Sequence, residues 1–178
     1  MASASTEATA RPPVVVVMGV SGSGKSTMAR LLAGALGVDF AEGDDFHSAA
    51  NVAKMRSGTP LSDADRQTWL EILARRMGEA RRRGAGLVLS CSALKRSYRD
   101  LLRAAVPDMQ LVHLRGDFET VQSRLAARTA HYMPSSLLQS QFADLEVPGH
   151  DEGVHEFTIL QSPRQIAEAF CNQLAATT

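Results

Sequence analysis

Eight consecutive residues, Gly19-Val20-Ser21-Gly22-Ser23-Gly24-Lys25-Ser26, fit G-x-x-x-x-G-K-[ST], a pattern that cradles phosphates. Glycines let the backbone wrap closely around an anion, and the free N–H groups of a helix N-terminus point into it. Lys25 supplies a point charge for the β- and γ-phosphates, and the Ser26 hydroxyl suits Mg²⁺. Thr27 extends the phosphate-binding stretch into the first helical turn. Val14 to Met18, just before the loop, is an unbroken apolar run that reads as a strand buried on both faces. Met28, Leu31, Leu32, Ala35 and Leu36, just after it, recur at helical spacing. Strand, glycine loop and helix together predict a site for a nucleoside triphosphate.

Other reactive residues cluster after further apolar stretches. Glu42-Gly43-Asp44-Asp45-Phe46-His47 places three carboxylates within four residues and adds a histidine. Beside a phosphate loop, such acids can serve Mg²⁺ or accept the proton of a substrate hydroxyl. Lys95 and Arg99 stand four apart, which predicts one shared helical face able to hold an anionic group. Arg124 and Arg128 repeat that spacing before the break at Met133-Pro134, as in a helical hairpin over roughly 124–145 that closes on the nucleotide. Cys91 has no evident partner base and reads as a small buried residue.

The elements that must position these groups alternate. Short strands are expected near Val38–Ala41, Gly86–Cys91, Met109–Leu114 and His155–Leu160. Ser62 can cap a helix whose Trp69, Leu70, Leu73, Met77 and Ala80 share a face, with Asp63 and Asp65 at its positive end. Arg81-Arg82-Arg83 complements its negative end, and Gly84 stops it. Asp117 and Ser162-Pro163 can open two more helices. Repeated strand–helix units imply an α/β fold with a parallel sheet and helices on both faces, whose ligands gather at the carboxyl ends of the strands.

Composition narrows the function. With 178 residues, 44% hydrophobic and 21% charged, the chain suits one soluble domain, 14–178, behind an Ala/Ser/Thr-rich arm, 1–13. Nineteen basic and nineteen acidic residues leave zero net charge, against a nucleic-acid partner. No apolar run is long enough to span a bilayer, and the arm lacks the apolar core of a secretory signal. Two distant cysteines suit reduced thiols in a cytoplasm. The Asn-Lys-x-Asp of a GTP-dependent switch is missing.

The chain resembles the gluconokinase family, small P-loop kinases related to shikimate and adenylate kinases. The resemblance rests on Met18 through Ser26, Glu42 through His47, Asn51 through Met55 and Gly58-Thr-Pro-Leu-Ser-Asp-Ala-Asp-Arg66. It continues through Trp69-Leu70, Cys91-Ser-Ala-Leu-Lys95, Tyr98 through Arg103, Leu114 through Phe118, Arg124 through Arg128, and His131. It implies a three-layer P-loop kinase fold, a five-stranded parallel sheet in order 2-3-1-4-5 and a helical lid. It also implies transfer of the ATP γ-phosphoryl to the 6-hydroxyl of D-gluconate, with Mg²⁺, in a homodimer.

By similarity to shikimate kinases, Glu42 lies near Mg²⁺ and Asp44 meets the substrate hydroxyl. Many relatives carry Asp where Glu42 stands. By similarity to adenylate kinases, Arg124 lies near the adenine, Arg128 near the phosphates, and Ser162-Pro163 edge the base. His47, which could equally be a packed or capping histidine, is a further candidate for substrate contact, and Lys54, Arg66, Lys95 and Arg99 are candidates for the gluconate carboxylate. A kinase for another acid or polyol, such as shikimate, is the alternative, although the third strand lacks a shikimate-type glycine run.

Overall fold

The structure, a computed structural model, describes residues 11–127 and 135–177. At its centre is strand β1 (Val14–Met18), whose five side chains are each 0% exposed. β1 pairs in parallel with β3 (Leu87–Ser90) on one edge and β4 (Gln110–Arg115) on the other. β2 (Asp39–Glu42) adds outside β3, and β5 (Val154–Thr158) outside β4, giving five parallel strands in order β2-β3-β1-β4-β5. The expected order therefore holds.

Alternate residues of β1 enter opposite layers, as strand periodicity requires. Val14, Val16 and Met18 pack with Trp69, Leu70, Leu73 and Met77 of α3 (Asp63–Arg82) and Leu102 of α4 (Arg96–Ala105). Val15 and Val17 pack with Met28 and Leu32 of α1 (Lys25–Leu36) and with Ile166 and Phe170 of α7 (Pro163–Thr177). Leu31, expected on the apolar stripe of α1, is 40% exposed; the buried stripe is Met28, Ala29, Leu32 and Ala33. The remaining helices are α2 (Ala49–Arg56), α5 (Phe118–Ala126) and α6 (Ser135–Asp144), with 3-10 turns at Gly43–Phe46 and His150–Glu152.

Local chemistry sets the helix ends. Ser62 and Asp65 form a reciprocal capping box at the start of α3. Asp65 also pairs with Lys54 at 2.7 Å, and its backbone carbonyl accepts from the Asn51 amide, so α2 is tied to α3. Lys54 and the Ser62 bonds hold the Asp65 carboxyl down to about 2. Asp117 caps α5 by accepting from the Thr120 N–H at 2.7 Å.

Lys95 and Arg99 do not share a helical face, a correction to the spacing argument. Lys95 is extended at the N-cap of α4 and reaches Asp63 at 2.7 Å. Arg99 turns inward, 1% exposed, and forks onto Glu152 at 2.5 and 2.9 Å. Its remaining Nη1 donates to the carbonyls of Ala93 and Leu94. Ala93 holds φ 44°, a left-handed conformation costly for a residue with a Cβ. The buried guanidinium thus holds the bend that follows β3. Glu152→Gln leaves that cation uncompensated and should cost about 3 kcal/mol or more in urea unfolding. The KM for the acceptor should stay unchanged, because neither residue faces the cleft described next.

Candidate active site

A cleft of ≈ 820 Å³ opens at the carboxyl ends of β1, β2 and β3. Its floor is the glycine loop. Backbone bonds shape it: Gly19 N–H donates to Ser92 O, and Ser23 N–H donates to Val20 O. Gly22 and Gly24 sit at φ 83° and 95°. A Cβ on Gly22 would meet Leu125 of α5 at 2.7 Å, so only glycine fits there. The first N–H groups of α1 have no helical carbonyl to bond and open toward the cleft. Ser21, Gly22, Gly24, Lys25, Ser26 and Thr27 line it, while Gly19, Val20 and Ser23 are buried and are not among the lining residues. The Lys25 ammonium rests against Val20 O at 3.0 Å.

The opposite wall comes from the turn after β2. Glu42, Asp44, Asp45 and His47 all line the cleft. A Cβ on Gly43 would fall 2.2 Å from Ser90 O, so the turn crosses the end of β3 at a distance only glycine allows. Trp69 Nε1 donates to Gly43 O at 2.8 Å, and the Trp69 ring stacks on His47 with centroids 4.3 Å apart. One buried indole therefore orients both the acid-bearing turn and the histidine. Burial depresses the His47 pKa, with Asp44 opposing the shift, so the ring is neutral near pH 7. Its Nδ1 is enclosed and has no partner among the described residues.

The predicted cations separate in space. Arg66 lines the cleft, held by Tyr98 and by Asp144 at 3.1 Å. Lys54 and Lys95 are engaged with Asp65 and Asp63 and are not among the lining residues. Arg99 is enclosed with Glu152, so its expected substrate role gives way to a structural one. Arg124 donates to Ile159 O beyond β5, near Ser162 and Pro163 at the start of α7. Arg128 and His131 lie outside the described residues.

Three cleft residues lacked a readable signal. Arg56, the last residue of α2, lines the cleft and has no ion pair among the described residues. Trp69 reads from its periodicity as core alone, yet it also faces the cleft. Gln141 of α6 reaches 120 positions back to accept from Ser21 N–H at 2.7 Å. Burial lifts the Cys91 thiol to about 12, consistent with an inert packing residue.

The donor set suits Mg²⁺. Ser26 and Glu42 both line the cleft and offer a hydroxyl and a carboxylate oxygen. That is the pattern for a hard cation completed by phosphate and water oxygens.

A parallel sheet in this order, a lysine-bearing glycine loop on its central strand and an acidic turn across the cleft define a P-loop kinase. Residues 14–148 match a family model described as an AAA domain. Over 166 residues, the chain is 46% identical to a gluconokinase of Gluconobacter oxydans, covering 93% of each. A gluconokinase structure from Sinorhizobium meliloti 1021 superposes with a TM-score of 0.85 and 42% identity, covering 94% of this chain and 95% of that one. An unliganded sugar kinase from Janibacter sp. HTCC2649 gives a TM-score of 0.87 and 45% identity, covering 92% and 94%. The chain belongs to the gluconokinase family. Among the described residues, no helix is long and apolar enough to cross a membrane.

Proposed function

We propose that this protein transfers the γ-phosphoryl of ATP to the 6-hydroxyl of D-gluconate, giving 6-phospho-D-gluconate. One observation carries the chemistry: the loop that bears Lys25 and the turn that bears Asp44 line a single cleft. The family relationship supplies the acceptor. Phosphoryl transfer runs through a loose transition state, so alignment and charge neutralisation dominate. Loop amides and Lys25 hold the β- and γ-phosphates. Ser26 and Glu42 would hold Mg²⁺, which when bound would neutralise part of the phosphate charge. Asp44, exposed on the facing turn, orients the attacking hydroxyl and takes its proton late in the step.

His47, neutral and fixed against Trp69, can hydrogen-bond an acceptor hydroxyl without competing for the carboxylate. Arg124, Ser162 and Pro163 are assigned to the adenine, and Arg128 to the phosphates, on family resemblance. A cytoplasmic homodimer completes this reading, on the same resemblance.

The gluconate carboxylate needs a cation far from the phosphate loop. Among the described residues, Arg56 and Arg66 are the arginines that line the cleft, on α2 and α3. Arginine's planar fork matches a carboxylate.

The decisive experiment is ADP release with D-gluconate, D-glucose, shikimate and no acceptor. Turnover should require D-gluconate; equal or faster turnover with shikimate would replace the acceptor. In the same assay, Asp44→Asn should lower kcat by about 10²-fold with the ATP KM unchanged, the scale of a lost general base. Wild-type kcat in that variant would remove Asp44 from the chemistry. Arg56→Gln and Arg66→Gln should each raise the gluconate KM about tenfold or more, the worth of a charged hydrogen bond. Lys54→Gln and Lys95→Gln should leave it near the wild-type value.

A further inference from the structure

The glycine loop divides its amides between two tasks. The N–H groups of Gly19, Ser21 and Ser23 are taken by Ser92 O, Gln141 Oε1 and Val20 O. Those of Gly22, Gly24 and Ser26 have no protein acceptor among the described residues, and all three residues line the cleft. The Ser21 amide is therefore occupied from the side of the cleft where α6 lies, and its partner is a side chain.

That partner is oriented without ambiguity. A backbone N–H can only donate, so the atom facing Ser21 is the carboxamide oxygen of Gln141. The amino end of the same group must then point elsewhere. Gln141 is half-buried, lines the cleft beside Ser140, and its Nε2 has no acceptor among the described residues. Leu137 and Leu138, one turn earlier on α6, are buried and hold the helix against the body. An anchored, neutral donor thus lines the cleft beside the loop that carries Lys25.

We propose that Gln141 is a phosphoryl-contacting residue: anchored through Oε1 on Ser21, it donates from Nε2 to an oxygen of the terminal phosphoryl group. This rests on the phosphotransfer reading above. The loose transition state spreads charge over three equatorial oxygens. A single ammonium and the loop amides approach them from the loop side. Gln141 approaches from α6, and its preset orientation avoids reorganisation as charge shifts. Being uncharged, it adds no competing cation beside Asp44.

Two substitutions separate donation from mere tethering. Gln141→Glu keeps an acceptor for the Ser21 N–H but replaces the amino group with anionic oxygen. Gln141→Met removes donor and acceptor at similar length without adding charge. Binding of Mg·ATP and Mg·ADP is measured by calorimetry on the full chain without acceptor, and kcat is measured with D-gluconate. Both variants should weaken ATP about tenfold or more while leaving ADP affinity within about threefold, since one charged hydrogen bond is at stake. Both should lower kcat by about 10²-fold, the scale for one lost transition-state donor.

Equal loss of ATP and ADP affinity, or an unchanged ATP-to-ADP ratio in the Met variant, would overturn the proposal. A Glu variant with wild-type kcat would do the same, because it preserves the tether. The nucleotide ratio is read without any sugar acid. It therefore stands or falls separately from the acceptor: wild-type protein that discriminates ATP from ADP through Gln141 but ignores D-gluconate would refute the substrate alone.

Discussion

Everything in the site depends on a strand that has no freedom to move. β1 is fully enclosed, hydrogen-bonded on both edges, and packed by a helical layer on each face. The chain that leaves it must turn into α1 within a few residues, and glycines at left-handed angles make that turn possible. Amides that would otherwise be satisfied by sheet or helix are left pointing at one volume. The cradle is thus a by-product of ending a buried parallel strand abruptly against a helix N-terminus, and its rigidity is borrowed from the sheet.

The second wall is fixed by a different device. β2 ends where Gly43 passes over Ser90 with no room for a Cβ, and Trp69 captures the Gly43 carbonyl. The indole belongs to α3, whose apolar face packs on β1. Loop and acidic turn are therefore referenced to the same core, one directly and the other through a tryptophan. Their relative position, on which in-line transfer depends, does not rest on surface contacts.

Much of the fold was legible because its signals are local. An unbroken β-branched run, a capped helix with a periodic face and an Asp at an N-cap each report on a few neighbouring residues, and the strand order followed from the family resemblance. The lining of the cleft was legible where it sits in a contiguous motif, as with Lys25, Ser26, Glu42, Asp44 and His47. It was misread where a side chain's partner is remote. Lys95 and Arg99 look alike in sequence, yet the helix begins between them, so one stays at the rim while the other is drawn to Glu152. Gln141 carries no local signal, since its meaning comes from a single bond to Ser21 across the molecule. Arg56 carries no local signal either, since its place depends on where the end of α2 falls relative to the cleft.

The enclosed Arg99–Glu152 fork has a bearing on how the molecule meets heat. Stripping water from ions becomes less unfavourable on warming, because their hydration carries a strongly negative entropy. The clamp that shapes the bend after β3 therefore loses less of its worth with rising temperature than isolated surface pairs suggest.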